Sequence, residues 1–387
     1  MVPSRTEGPN RGTDIKTFLA AGERSDMALR KPPLYDLHAR ATFTDFGGWE
    51  MPVEFDSIRE EHRAVRESVG IFDVSHMGEV VVSGPDATEL MQRLVTADIA
   101  ALDPGHAQYA AITDESGIVL DDTIVYRLPG SDAPRYLFIP NAGHDEEAAD
   151  RWVDHRDEWG LDCEVRNETD AWAMVAVQGP DALDAVADAT PADPAAPARN
   201  EIVEREVDGV ESWIARTGYT GEDGVEILCP VEDAEAVWTA FDGCQPCGLG
   251  SRDTLRTEMG FLLSGQDFDP DEEPRTPYAA GIGWAVDLET EFVGRDALTE
   301  VAETGPEAVF VGLELRERGI ARHGHDITVD GDVIGHVTSG TMSPTLGEPI
   351  ALGYVPASMS DPGTEVAVVV RGSGKRAEVV TTPFIRD

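Results

Sequence analysis

Residues 117–126, GIVLDDTIVY, form an apolar run with two adjacent acids at its centre. The β-branched and aliphatic residues predict a strand, in which successive side chains point to opposite faces. Asp122 then shares the more apolar face, and Asp121 the other; the Asp122 face also carries Ile118, Leu120, Ile124 and Tyr126. A buried carboxylate is paired, protonated or used in chemistry, because burying it unpaired is costly. The alternative is a strand end at which one Asp caps a turn and the other faces water.

The charge balance restricts the partners and the environment of the chain. There are 74 Asp and Glu against 30 Lys and Arg, a formal net charge of −44, and lysine occurs only at Lys16, Lys31 and Lys375. Such self-repulsion destabilises a compact state, and molar salt screens it. The composition therefore predicts a protein of a salty cytoplasm. A polyanion is also a poor binder of nucleic acid or of an anionic membrane.

The N-terminus and the cysteines show no leader, membrane span or disulfide framework. Residues 1–27 lack a sustained apolar core and read as a loose extension, with Met27 as an alternative start. No run approaches the roughly 20 apolar residues of a membrane helix. The four cysteines are scattered, and the motif Cys244-Gln-Pro-Cys247 lacks a second pair of zinc ligands. His323 and His325 lack a third ligand nearby, so we expect no metal site.

The order of helical and strand-like runs indicates an antiparallel α+β protein rather than a doubly wound one. Helical periodicity is found at 57–68, 86–94 and 142–160. Strand-like runs surround these helices up to about residue 230. After about Glu300, short strands and turns predict a separate all-β module.

Two further stretches carry candidate ligand-binding residues. In GYTGEDGVEI (218–227), the glycines predict a tight hairpin-like turn that leads Glu226 into a strand. There its carboxylate can accept two donors from a flat heterocycle that has an amino group beside a ring N–H. The alternative is a turn carboxylate that binds its own backbone.

The second stretch is GLGSRDTLR (248–256). Here Ser251 predicts a helix cap, with Asp253 in the first turn. Arg252 and Arg256 then lie one turn apart and are candidates for binding an anionic ligand. The alternative is pairing with Asp253 and Glu258 within the helix.

Six separated blocks together resemble the T-protein of the glycine cleavage system, a tetrahydrofolate-dependent aminomethyltransferase family. The resemblance covers about residues 33–386 and is carried by PLYDLHARATFTDFGGWEMPVEF, SVGIFDVSHMGE, GIVLDDTIVY, GYTGEDGVEI, GLGSRDTLR with GQDFD, and TSGTMSPTLGEPIALGYV. It implies a three-domain folate-binding aminomethyltransferase fold. The discontinuous first domain comprises 28–78 and 168–290, the inserted antiparallel α+β domain 79–167, and the β-barrel or jelly-roll-like domain 291–387.

The resemblance also implies a reaction and its residues. The donor is an aminomethyl group on the dihydrolipoyl arm of the lipoylated H-protein, and N5 of tetrahydrofolate attacks its methylene, so that ammonia leaves and 5,10-methylenetetrahydrofolate forms. Asp122 aligns with the catalytic aspartate and Asp121 with its structural partner. The implied folate-site residues are Glu226 (pterin), Arg252, Tyr109, Asn141, Met77 and the wall residue Trp284.

Two other functions share this kind of module. One is a folate-dependent demethylase that acts on a small methylated amine, because the folate pocket does not define the donor. The other is a non-catalytic regulator of iron–sulfur assembly, which carries a cysteine-containing block where this chain has GYTGEDGVE. Ser116-Gly117 also replaces the family's more common Gly-Gly before the twin acids. This difference leaves both acids of the pair in place.

Overall fold

The computed structural model describes residues 28–130, 133–192 and 196–385. The predicted extension at 1–27, including the alternative start at Met27, lies outside the described residues. Within them, no helix combines the length and the apolar composition that crossing a bilayer requires.

The helices of the described part are mostly short. In chain order they are α1 (Ile58–Glu67), α2 (Ala87–Leu94), α3 (Asp145–Trp159), α4 (Ala182–Ala189), α5 (Ala234–Thr239), α6 (Leu249–Met259) and α7 (Arg295–Thr304). One of the four 3₁₀ turns in the described residues, Gly283–Ala285, carries Trp284.

The strands make up most of the ordered structure. They are β1 (Thr42–Phe46), β2 (Trp49–Glu54), β3 (Gly70–Asp73), β4 (Val80–Ser83), β5 (Ala107–Thr113), β6 (Val119–Arg127), β7 (Arg135–Phe138), β8 (Glu164–Asn167), β9 (Trp172–Gln178), β10 (Ile202–Val207), β11 (Val210–Ala215), β12 (Gly224–Pro230), β13 (Gln245–Cys247), β14 (Ala308–Leu315), β15 (Asp326–Val329), β16 (Asp332–Met342), β17 (Pro349–Pro356), β18 (Glu365–Val370) and β19 (Ser373–Val380).

Two sheets face each other across a shared apolar core. The six-stranded sheet has the order β10-β11-β12-β9-β3-β13, and the five-stranded sheet has the order β5-β6-β7-β4-β8. Side chains of both sheets meet in one buried cluster, which includes Phe72 and Met174 from the first sheet and Tyr126 and Leu137 from the second. The face of β6 that carries Asp122 and Tyr126 therefore points towards the other sheet.

The opposite face of β6 packs towards helices α2 and α3. Val125 from this face lies in a cluster with Leu90 of α2 and Trp152 of α3. Asp121 shares this face and is only 5% exposed, whereas Asp122 is half-buried. The two acids thus lie on opposite faces as expected. Leu120 was expected on the Asp122 face but packs with Val125 in the opposite cluster, because the register of β5 and β6 shifts between Ile112 and Thr113.

The C-terminal strands close into a barrel of order β14-β17-β16-β15-β18-β19, with β14 also paired to β19. The predicted α+β class with a C-terminal β-barrel is confirmed. The segment is not all-β, because α7 precedes the first barrel strand.

The predicted cap of α6 is wrong. The helix begins at Leu249 with Gly248 as its N-cap, so Ser251 lies inside it. Glu61 of α1 accepts hydrogen bonds from Gly248 N at 2.9 Å and from Ser251 Oγ at 3.0 Å. A carboxylate from another helix therefore caps α6, and Asp253 lies beyond the first turn. The turn before Glu226 is also wider than predicted, since residues 216–223 connect β11 to β12.

Candidate active site

The amide of Asn141 joins the two adjacent acids of β6. Asn141 follows β7, and its Nδ2 donates to Asp121 Oδ1 at 2.7 Å and to Asp122 Oδ1 at 2.8 Å. Its backbone N–H donates to Asp121 Oδ2 at 3.0 Å. Asp121 Oδ1 also accepts the Asp122 backbone N–H at 3.0 Å. Asp121 is therefore held on both oxygens by its neighbours and anchors the pair.

Asp122 keeps a more open environment, bounded by two aromatic rings. Tyr109 of β5 donates its hydroxyl hydrogen to Asp122 Oδ2 at 2.7 Å. Trp284 stacks on Tyr109 with ring centroids 5.1 Å apart, and its side chain is 69% exposed. The carboxylate therefore lies beside an aromatic wall whose outer ring is accessible.

Burial and the neighbouring acid place the titration of Asp122 near neutral pH. Desolvation, followed by the charge of Asp121, raises the pKa of Asp122 to about 6, against the opposing hydrogen bonds from Tyr109 and Asn141. Burial, and then the charge of Asp122, raise the pKa of Tyr109 well above its usual value. At neutral pH, Tyr109 is thus a neutral donor to a mainly ionised carboxylate.

Glu226 lies in β12, on the six-stranded sheet, and is 7% exposed. Its Oε2 accepts from Thr217 Oγ1 at 2.6 Å, and the Thr217 hydroxyl also bonds to the hydroxyl of Tyr126 at 3.0 Å. Tyr126 belongs to the same β6 face as Asp122. A carboxylate has about four acceptor positions, so Glu226 retains capacity for further donors.

Arg252 and Arg256 have different surroundings. Arg256 is fully buried and pairs with Asp253 at 2.8 Å and with Asp267 at 2.6 Å. Arg252 lies over the ring of Tyr219 at 4.6 Å, and its buried Nη1 has no hydrogen-bond partner among the described residues. Desolvation lowers the pKa of Arg252, while the charge of Glu226 opposes this shift. The candidate anion-binding residue is therefore Arg252, and Arg256 is structural.

His76 is a further candidate for the site, which the sequence reasoning missed. It is 2% exposed, and its Nδ1 has no partner among the described residues. Burial, and then the charge of Arg252, lower the pKa of His76 to about 3. This neutral imidazole precedes Met77, which packs against the core between the two sheets. The signal was the SVGIFDVSHMGE block itself, in which the sequence reasoning selected only the methionine.

Tyr219 connects the two halves of the site. Its hydroxyl donates to the carbonyl of Leu262. Burial raises the pKa of Tyr219, the charges of Arg256 and Arg252 oppose this shift, and the charge of Asp122 adds to it. The predicted residues Asp122, Asn141, Tyr109 and Trp284 thus form one group, and Glu226 and Arg252 form a second. His144, whose Nδ1 lies 3.1 Å from Asp121 Oδ2, is a further neighbour that was not predicted.

Possible metal ligands do not form a cluster within the described ranges. Among those residues, no group of three or more His, Cys, Asp or Glu side chains is arranged to hold an ion. Cys244 and Cys247 are free, buried thiols, and burial raises the pKa of both.

Comparison with known families covers both parts of the chain. Residues 34–290 match the GCVT N-terminal domain, and residues 309–385 match the glycine cleavage T-protein C-terminal barrel domain. The chain belongs to the glycine cleavage T-protein family. The family inferred from the six sequence blocks is confirmed.

Relatives of the same family match along nearly the full length. A probable aminomethyltransferase of Haloarcula marismortui is 62% identical over 93% of this chain and 99% of that protein. The aminomethyltransferase of Bacillus subtilis is 43% identical over 92% and 99%. The crystal structure of glycine cleavage system aminomethyltransferase T from Bartonella henselae is 34% identical, with a TM-score of 0.85 over 92% of this chain and 98% of that one.

These matches establish an aminomethyltransferase of the T-protein family. Further relatives at 60% and 62% identity come from Halobacterium salinarum and Natronomonas pharaonis. Their halophilic sources agree with the salt adaptation predicted from the net charge.

Proposed function

We propose that this T-protein family member transfers the methylene of an aminomethyl group, carried on the dihydrolipoyl arm of H-protein, to tetrahydrofolate. The observation that carries the proposal is the environment of Asp122. This carboxylate faces the other sheet, accepts from Tyr109 at 2.7 Å and has a pKa of about 6. A base is most effective when its pKa lies near the working pH.

The pterin end of the folate binds at Glu226 in this proposal. The pterin ring presents an amino group beside a ring N–H, and the free acceptor positions of Glu226 suit both donors. Arg252 offers the buried Nη1 that lacks a partner among the described residues. A buried donor left unsatisfied costs about 1–3 kcal/mol, so a ligand oxygen at this atom would relieve the cost. His76 Nδ1 is a second buried polar atom for which the described part of the chain offers no partner.

The reaction balances without a redox partner. The methylene carbon loses its bonds to the amine nitrogen and the thiol sulfur, and it gains bonds to N5 and N10 of the folate. The two hydrogens from N5 and N10 leave on ammonia and on the dihydrolipoyl thiol. Cationic character develops on N5 and on the methylene as the first bond forms, and the Asp122 carboxylate stabilises this charge and accepts the N5 proton.

The remaining predicted residues support this arrangement. Tyr109 and Asn141 hold the Asp122 carboxylate, and Trp284 walls the accessible side. Met77 lines the pterin side. The proposal assigns no role to a metal. It keeps the division into a discontinuous domain (28–78 and 168–290), an inserted domain (79–167) and a C-terminal domain (291–387).

Turnover with two classes of donor tests the proposal. The purified protein in molar salt receives tetrahydrofolate together with either aminomethylated H-protein or a free methylated amine. Ammonia and methylenetetrahydrofolate are measured for the first donor, and methyltetrahydrofolate and the demethylated amine for the second. We expect ammonia and methylenetetrahydrofolate in equal amounts from the H-protein donor, and neither methyltetrahydrofolate nor demethylated amine from the free amine. Equal or faster turnover of the free amine would instead identify a small-molecule demethylase.

A further inference from the structure

His144 contacts the structural acid of the pair from outside the β6 strand. It immediately precedes α3, and its Nδ1 lies 3.1 Å from Asp121 Oδ2. The same oxygen accepts the Asn141 backbone N–H at 3.0 Å. The side chain of His144 is 38% exposed, whereas that of Asp121 is 7% exposed. One edge of the imidazole therefore bonds to the buried acid while the ring remains accessible to solvent protons.

The groups around His144 favour its cationic form. The hydrogen bond to Asp121 raises the pKa of His144, and burial opposes this shift. The charges of Asp121, Glu147 and Asp269 raise the pKa further. The N-terminal end of α3 opposes a cation there. The first turn of α3 offsets this, because it carries Asp145, Glu146 and Glu147.

We propose that His144 is a positioning residue for the transfer reaction and acts on Asp122 through Asp121. The inference rests on the proposed function. Asp121 holds the Asn141 amide at 2.7 Å, and that amide in turn donates to Asp122 at 2.8 Å. A cationic donor on Asp121 Oδ2 fixes this chain of contacts. It also offsets the negative charge of Asp121, which opposes the ionisation of Asp122.

Removing this cation should make Asp122 harder to ionise. Two charges separated by roughly 7–10 Å near a protein surface still interact appreciably, and solvent around the exposed imidazole of His144 screens part of this interaction. We therefore expect His144→Ala to move the acidic limb of the kcat/KM profile upwards by about 0.5–1 pH unit. His144→Asn is the matched variant, because its side-chain N–H can replace the Nδ1 donor but carries no charge.

The pH profiles of the two variants separate the electrostatic role from a structural one. His144→Asn should recover much of the plateau rate that His144→Ala loses, because it restores the donor to Asp121. Its acidic limb should nevertheless shift upwards as in His144→Ala, because the charge is still missing. A limb that stays at the wild-type pH in either variant overturns the proposal, whatever happens to the plateau.

A second measurement does not depend on turnover. The chain has four asparagines, Asn10, Asn141, Asn167 and Asn200, so selective ¹⁵N labelling of Asn gives few side-chain amide signals. The Asn141 amide donates to Asp122 and should report its titration, with a midpoint near pH 6 in the wild type. We expect a higher midpoint in both His144 variants, and an unchanged midpoint contradicts the inference. An enzyme inactive with H-protein that still shows this shift would contradict only the proposed function.

Discussion

Tyr109 and Asp122 lie on the same side of two paired strands, and the tyrosine hydroxyl donates to the carboxylate at 2.7 Å. A hydroxyl can accept as well as donate. An amide at position 122 can therefore keep both contacts, with its oxygen facing Asn141 and its nitrogen facing the Tyr109 oxygen. The site thus allows a substitution that removes the charge of Asp122 and keeps its shape.

Asp122→Asn should stabilise the protein at neutral pH. The pKa of Asp122 is about 6 in the folded protein, above the value of about 3.9 for an unfolded aspartate. The folded state therefore binds more protons between about pH 4 and 6, and the free energy of unfolding falls as the pH rises through this window. The Asn variant avoids this loss, so its free energy of unfolding should exceed that of wild type by about 1–2 kcal/mol at pH 7.5 and equal it below about pH 4.

Denaturant unfolding in molar salt at both pH values measures this gain. Wild type at each pH is the control for general effects of acid on the many other carboxylates. A variant that is less stable than wild type at pH 7.5 would show that Asp122 is not strained by its burial.

Arg252→Met should affect folate binding, whereas Arg256→Met should affect the stability of the fold. Arg252 Nη1 has no partner among the described residues, whereas Arg256 bonds to Asp253, Asp267 and Ser339. Arg252→Met should weaken tetrahydrofolate binding about 10-fold or more with little loss of stability, because a charged hydrogen bond contributes about 1.5–3 kcal/mol. Arg256→Met leaves Asp267 buried without its cation and should lower stability by about 3–5 kcal/mol.

Calorimetric folate titrations and unfolding curves of both variants check this contrast. Equal folate affinity in wild type and Arg252→Met would remove Arg252 from the folate site.

Glu226→Gln should weaken folate binding while preserving the fold. The amide retains an oxygen for the Thr217 hydroxyl, which bonds to Glu226 at 2.6 Å. It cannot present a second acceptor to the paired pterin donors, and its N–H₂ group opposes one of them. We expect about a 10- to 100-fold higher dissociation constant for tetrahydrofolate. A dissociation constant within a factor of two of wild type would place the pterin elsewhere.

Removal of salt should unfold the chain. At a net charge of −44, self-repulsion grows as the Debye length rises from about 3 Å in molar salt to about 10 Å at 0.1 M. Circular dichroism during dilution should show a loss of ordered structure and a lower melting temperature. The argument from charge fails if the spectrum and the melting temperature are the same in 2 M and about 0.1 M salt.

Local patterns predicted the elements more reliably than their ends. Helix α1 and strand β6 follow directly from periodicity, and in the structure Ser57 caps α1, with its Oγ accepting the Glu60 N–H. Ser251 failed as a cap because Glu61, far away in the chain, accepts from Gly248 and Ser251. The carboxylate that caps α6 comes from another helix, and the sequence around Ser251 carries no sign of that contact.

The candidate site shows the same limit. The sequence placed Arg252 and Arg256 together as possible ligand-binding cations, because both face the same side of one helix. Their difference arises from Asp267 and from Ser339 of the barrel, which the fold brings to Arg256 alone. His144 was missed for a similar reason, since its contact with Asp121 depends on how α3 meets the end of β7.

Turnover of Asp122→Asn beside Asp121→Asn tests the central claim most directly, with methylenetetrahydrofolate formation from aminomethylated H-protein measured in parallel with folate affinity. Asp122→Asn should lose about 10²–10⁴-fold in turnover and keep wild-type folate affinity. Each oxygen of Asp121 accepts two hydrogen bonds, so Asp121→Asn should chiefly lower stability, by about 1–3 kcal/mol. More than about a tenth of wild-type turnover in Asp122→Asn, or a greater catalytic loss in folded Asp121→Asn, would contradict the assignment of Asp122.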